Sequence, residues 1–249
     1  MRMSFHRIAY EALEVCNAVD LDTIEVAIAL TDLTPGARAL DIGCGNGSVS
    51  IRLAQRFGLS VEAVEIDSAI IDLARDRVAS AGLDGRVLLR EGTSPEVLTA
   101  SPPFDLIVAL GVIEPTGPGI RAPQAMLEGL RAHLSPGGWL LWGDMAWVDE
   151  PPGPLRQLVE LNNLYTDHDG WQAAAEAAGF EVVSAALSTQ DRWDRYGDTM
   201  QSAVASWLDA NPTHPDAPAI AGRAHQLKLM FDFGRGVMGF GLYLLRNPV

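Results

Sequence analysis

The sequence predicts an α/β protein, a doubly wound parallel sheet covered by helices on both faces. Three observations lead there. Strand-like apolar runs alternate with helix-like stretches through most of the chain. The segment ALDIGCGNGSVS, residues 39–50, reads as a buried strand ending in an acid, then a glycine-spaced loop, then a helix start. Glycine-marked helix stops stand at Gly82 and at SPGG, residues 135–138, the second running directly into an apolar strand.

Residues 1–35 are expected to form helices packed over the sheet. Strand Ala37–Ile42, helix Ser48–Phe57, strand Val61–Ile66 and helix Ala69–Ala81 follow, then strands Val87–Arg90 and Leu106–Leu110, helix Gln124–Leu134 and strand Trp139–Trp142. After Asp144 the alternation lapses. Residues 145–169, with Pro151, Pro152 and Pro154, read as an insertion carrying one helix near Leu155–Leu164. Helix Gly170–Ala178 and strand Glu181–Leu187 resume the pattern. A polar and aromatic segment (191–211), a Pro-rich loop, a helix near Ile220–Phe233 and an apolar strand Val237–Leu245 complete it. No internal repeat or low-complexity tract occurs. One domain accounts for this: a helical cap (1–35), a core (36–187), a lid insertion (188–233) and a final strand (234–249).

The 249 residues are ample for a buried core, and the formal net charge of −14 is spread over both halves. A nucleic-acid partner needs a basic footprint, which this chain lacks. No run of about 18 apolar residues occurs, and MRMSFHRIAY lacks a signal-peptide core. A soluble, cytoplasmic protein with no membrane partner is expected. Cys16 and Cys44, the only cysteines, give neither a disulfide framework nor metal-ligand spacing. No metal site is expected, and oligomeric state is not legible.

In a parallel sheet the ligand belongs outside the carboxyl ends of the strands, at the switch point. Asp41 and the loop of Gly43, Cys44, Gly45 and Gly47 stand at the first such end. A pyrophosphate would be repelled by Asp41; a cationic or hydroxyl-rich ligand would not. Glu65, 24 residues further on, ends the second strand, where an acid bonds a ribose diol or is simply solvated. Asp67 reads as a helix N-cap. Gly92, Thr93 and Ser94 follow the third strand, Leu110 ends the fourth, and Asp144 follows the fifth.

These spacings resemble the class I S-adenosylmethionine-dependent methyltransferases. DIGCGNG (residues 41–47) matches their first motif and Glu65 their acid after the second strand. FDLIV (104–108) matches the fourth-strand motif, and LSPGG (134–138) the turn before the fifth. The closer likeness is to bacterial small-molecule methyltransferases. It rests on His6-Arg7, on Gly143 to Trp147, on Trp193-Asp194-Arg195-Tyr196, on Trp207-Leu208 with Asn211-Pro212, and on Gly234 to Phe240. The resemblance implies a seven-stranded Rossmann-like sheet in the order 3-2-1-4-5-7-6 with its last strand antiparallel. It also implies S-adenosylmethionine as cofactor, S-adenosylhomocysteine as product, and cofactor contacts at Asp41, Gly43, Cys44, Gly45, Gly47, Glu65, Ile66, Thr93, Ser94 and Leu110. Thr93 departs from the family, which commonly has an acid there for the adenine amino group; Thr93 or Ser94 would be a weaker acceptor.

Methyl transfer to a small-molecule acceptor by in-line displacement follows from the resemblance, with alignment as the protein's main task. Glu114 and Asp144 are the candidate catalytic carboxylates, as base or ammonium anchor; a solvated loop acid and a turn cap are the alternatives. His6, Trp147, Trp193 and Tyr196 are candidates for the acceptor pocket, although Trp193, Tyr196 and Met200 also follow helical spacing, which suits ordinary lid-to-core packing. His133 and His168 suit helix-end roles. A nicotinamide-dependent oxidoreductase is disfavoured because Ser48 stands where G-x-G-x-x-G requires its third glycine. An amino-directed nucleic-acid methyltransferase usually carries Asn/Asp-Pro-Pro-aromatic after the fourth strand, where this chain has LGVIE (110–114). A cofactor-binding regulator without turnover is the remaining alternative.

Overall fold

The computed structural model describes residues 3–161 and 163–249. In chain order the elements are α1 (Phe5–Ala12), α2 (Leu21–Ile28), β1 (Arg38–Ile42), α3 (Ser48–Phe57), β2 (Ser60–Glu65) and α4 (Ser68–Ser80). Then come β3 (Val87–Glu91), α5 (Ser94–Ala100), β4 (Phe104–Leu110), α6 (Pro123–Arg131), β5 (Leu134–Trp147) and α7 (Gly153–Glu160). The chain ends with α8 (His168–Ala177), β6 (Glu181–Leu187), α9 (Gln190–Ala210), α10 (Ala217–Gly234) and β7 (Met238–Arg246).

The seven strands form one sheet in the order β3-β2-β1-β4-β5-β7-β6. β7 runs antiparallel to both β5 and β6, and the other pairings are parallel. The expected architecture is therefore the one present. The order reverses between β1 and β4, whose registers bring Ile42 beside Ala109. Their carboxyl ends consequently open side by side, which is where such sheets hold ligands.

Alternation along the strands divides the core. Ala39, Leu106, Val108 and Leu141 face one side and pack with Ile24 and Ile28 of α2 and Val49 and Leu53 of α3. Leu40, Ile42, Ile107 and Leu140 face the other, against Leu127 and Leu130 of α6 and Trp171 of α8. A third cluster joins Phe5, Ile8, Met200, Val204 and Ile220, so the N-terminal helix packs directly on the two lid helices. Local capping sets the helix starts. Asp67 Oδ1 accepts from Ala69 N at 2.9 Å for α4, and Asp167 Oδ1 from Gly170 N at 2.7 Å for α8.

Two sequence expectations need correction. The fifth strand is far longer than Trp139–Trp142, because β7 pairs with it from Trp139 to Trp147 and holds residues 143–147 in extended form. SPGG lies inside that strand, since Leu134 already pairs with Phe104, while the helix before it ends at Arg131. The polar segment 191–211 is a helix, α9, started by Thr189, whose side chain accepts from Arg192 N. α5 was not expected at all. Its signal was present in Thr93-Ser94-Pro95-Glu96, a capping box with proline in the first turn, and Thr93 N donates to Glu96 Oε2 at 3.0 Å.

Candidate functional site

The glycine loop turns tightly because Gly43, Gly45 and Gly47 all adopt left-handed φ, at +65°, +54° and +79°. Space forbids side chains as well. A Cβ on Gly43 would stand 3.0 Å from Val112, and one on Gly45 2.9 Å from Cys16 Sγ. Cys44 is buried in the core with its N–H on Val64 O at 3.0 Å, and burial pushes its thiol well up. Asn46, buried at the loop's crest, ties the loop to the chain start. Its Nδ2 donates to Tyr10 O and Leu13 O at 3.0 and 2.9 Å, and its Oδ1 accepts from Ser48 N at 3.1 Å.

Glu65, 9% exposed, is the keystone. Its Oε2 accepts from Gly45 N at 3.1 Å; its Oε1 accepts from Ile66 N and Asp67 N at 2.9 and 3.1 Å. A carboxylate offers about four acceptor positions, so three amides leave about one for a ligand. Burial raises its carboxyl above the usual range while the three amides pull it back. A cavity of about 340 Å³ opens beside it, lined by Gly43, Glu65, Ile66, Thr93, Ser94 and Val112 among others. Ile66 is 70% exposed and so offers an apolar wall.

Asp41 does not line that cavity. It faces the opposite side of the strand from Ile42, is 4% exposed, and accepts from Ser50 Oγ at 2.5 Å. Burial, aided by the charge of Glu65, pushes its carboxyl up to about 7. It holds α3 against β1, behind the loop. Thr93 and Ser94 line the cavity, but Thr93 belongs to the α5 cap and Ser94 Oγ donates to Pro115 O at 2.7 Å. Leu110, buried at the end of β4, receives Asn17 Nδ2 on its carbonyl at 3.1 Å.

Glu114 forms the cavity's lip, with φ of +53°. Arg121 Nε donates to its Oε1 at 2.6 Å and holds its carboxyl below the usual range, which suits an anchored lip better than a proton acceptor. Asp144 is elsewhere: one residue past the end of β4, on the α8 side of the sheet, 5% exposed. Its one side-chain hydrogen bond among the described residues is from Met145 N, at 2.8 Å, and burial pushes its carboxyl up to about 7. It lines none of the cavities described here. The structure thus separates the two carboxylates proposed from sequence.

Trp193 and Tyr196 pack rather than line, whereas Trp147 lines a separate cavity of about 290 Å³ with Asp149, Glu150, Arg156 and Asp167. Trp147 Nε1 donates to Tyr165 O at 3.2 Å. Trp193, 1% exposed, lies 5.0 Å from the Phe231 ring, and its Nε1 has no hydrogen-bond partner among the described residues. Tyr196 donates to Cys16 O at 3.0 Å and so links α9 to the segment pressed on the glycine loop. His6 faces a second cavity, of about 560 Å³, which shares Ile66 with the first. Sequence reasoning missed Tyr10, Asn17 and Asn46; only Asn46 had a signal, an amide inside a glycine loop. Among the described residues, no three His, Cys, Asp or Glu are grouped to hold a metal ion. No helix described is long and apolar enough to cross a membrane.

Residues 40–140 match the family model described as a methyltransferase domain. The crystal structure of YjhP from Escherichia coli superposes with a TM-score of 0.81 at 22% identity, over 97% of this chain and 98% of that one. A SAM-dependent methyltransferase from Thiobacillus denitrificans, solved in complex with S-adenosyl-L-homocysteine, superposes equally well, with a TM-score of 0.81 at 23% identity over 96% of each chain. The 27-O-demethylrifamycin SV methyltransferase of Amycolatopsis mediterranei is 30% identical over 161 residues, 61% of this chain and 57% of that protein. This chain thus spans little more than half of that relative, whereas it spans 86% of YjhP. A ribosomal RNA small subunit methyltransferase C of Pseudomonas aeruginosa also matches at 30% over 160 residues, so the shared segment does not select an acceptor.

Proposed function

We propose that the chain is a class I S-adenosylmethionine-dependent methyltransferase whose acceptor is a small molecule enclosed between the strand ends, the N-terminal helix and the lid. S-adenosylmethionine is the cofactor, and the residues present fit it. Gly43 lines the cavity without a Cβ, Glu65 keeps about one acceptor position open, and Ile66 and Val112 supply apolar walls. When bound, the cofactor supplies a methyl group on a positively charged sulfur, which an acceptor atom displaces in line. In this reading Glu65 holds the ribose, and Ile66 and Val112 enclose the adenine. The Thr93 amide is already engaged by Glu96 and the Ser94 hydroxyl by Pro115 O, so in this reading Ser94 offers the adenine edge its backbone rather than its hydroxyl. The protein's own contribution is alignment and exclusion of water, and alignment alone can supply ~7–11 kcal/mol of a barrier.

Enclosure supports a small acceptor. α1, α9 and α10 pack as one cluster over the chain start, and Tyr196 ties α9 to Cys16 beside the glycine loop. The net charge of −14 weighs against a nucleic-acid acceptor. The cavity at Glu65 is the observation that carries the reading. Calorimetry with S-adenosylmethionine and S-adenosylhomocysteine tests it: both should bind wild type, and Glu65→Ala should weaken both about tenfold or more. Equal affinity in the variant removes the ribose assignment.

A further inference from the structure

The larger cavity, of about 560 Å³, lies between the start of α1, the start of α4 and α10, and is lined by His6, Ile66, Asp67, Asp216, Ile220 and Arg223 among others. Its charged groups are unequally engaged. Asp67 Oδ1 accepts from Ala69 N and Ile70 N at 2.9 and 3.4 Å. Asp216 Oδ2 accepts from Met3 N at 3.0 Å and stands 3.9 Å from His214 Nδ1. Arg223 has no ion pair or hydrogen bond among the described residues. Its guanidinium is nevertheless near enough to His6 to act with burial in lowering that imidazole's pKa, against the opposing pull of Asp67. The imidazole has no hydrogen-bond partner among the described residues. Both carboxylates are held by N–H donors, and the cation is not.

We propose that this cavity is an oxyanion subsite, in which Arg223 binds a carboxylate or phosphate group carried by the acceptor, with His6 beside it as a hydrogen-bonding wall. The assignment to the acceptor rests on the methyl-transfer reading above; the anion site itself does not. Arg suits the task because its fork of N–H donors matches a carboxylate or phosphate in two places at once. Position supports the role too, since Ile66 is shared with the cavity assigned to the cofactor, so a molecule anchored at Arg223 lies against the cofactor's own wall.

The test uses inorganic phosphate and acetate as probes, at constant ionic strength held with chloride, reading the melting temperature of wild type, Arg223→Gln and Arg223→Lys. S-adenosylhomocysteine affinity is measured on each by calorimetry. Wild type should show a saturable rise in melting temperature with one or both probes. Arg223→Gln should raise the half-saturating concentration about tenfold or more, and Arg223→Lys should retain part of the response. Saturation by acetate points to an acceptor carboxylate, and saturation by phosphate to an acceptor phosphate. No saturable rise in wild type, or the same half-saturation in Arg223→Gln, overturns the subsite. S-adenosylhomocysteine should bind all three proteins equally; its failure to bind wild type would defeat the methyl-transfer reading and leave the anion result standing by itself.

Discussion

Replacing Asp144 by asparagine should make the protein more stable in alkaline solution and leave it unchanged in acid. The carboxyl is 5% exposed and has one hydrogen bond among the described residues, from its neighbour's amide, which an asparagine Oδ1 can keep. Burial moves it from an ordinary 3.8 to about 7, a rise of about three units, or ~4 kcal/mol at about 1.4 kcal/mol per unit. The folded-state pKa is raised, so the favourable contribution of the protonated form is complete below about 4. It falls away as pH rises from about 4 to about 7, and above that wild type carries a buried charge. Asp41 shifts in the same direction, but it titrates in both proteins and cancels in their difference. Tyr165 and Tyr243, whose phenols are coupled to Asp144, are pushed further up and stay protonated across this range. Urea denaturation at pH 4 and pH 8.5 measures the effect. Asp144→Asn should match wild type within about 1 kcal/mol at pH 4 and exceed it by ~2–4 kcal/mol at pH 8.5. Parallel stability curves for the two proteins would refute the claim that Asp144 is buried without a compensating partner.

Other expectations follow from the same geometry. Gly45→Ala forces a Cβ into left-handed φ and towards Cys16 Sγ, at 2.9 Å; a loss of ~1–2 kcal/mol in denaturant melts, with weaker S-adenosylhomocysteine binding by calorimetry, is expected. Trp193→Phe removes an indole N–H that has no partner among the described residues while keeping a ring against Phe231. Its stability should stay within about 1.5 kcal/mol of wild type, whereas Trp193→Ala should lose ~3–5 kcal/mol. Arg121→Ala frees Glu114 from its ion pair at the lip. It should speed cofactor release in stopped-flow measurements and leave the melting temperature nearly unchanged, because solvent screens so exposed a pair.

The sheet was legible because its strands are apolar at the pleat's own period and its helices end in glycine, as at Gly82. What escaped was set by partners distant in sequence. β5 continues to Trp147 only because Met238 to Arg246 pair along it, and no local feature of residues 143–147 announces that. The α9 helix is a polar stretch stabilised by packing Met200 and Val204 on Phe5 and Ile8, almost 200 residues away. At the site, the glycine spacing and Glu65 were readable because each type is needed where it stands. The placement of Asp41 behind the loop was not, because a strand-end acid looks alike whichever face it points to. Asn17 and Tyr10 come to the loop by tertiary folding and carry no pattern of their own.

A crystal structure with S-adenosylhomocysteine tests most directly whether Glu65 and the glycine loop form the cofactor site. The nucleoside should fill the cavity of about 340 Å³, a ribose hydroxyl on Glu65 and its base between Ile66 and Val112. A nucleoside bound anywhere else, with Glu65 still holding only Gly45, Ile66 and Asp67, would contradict the account.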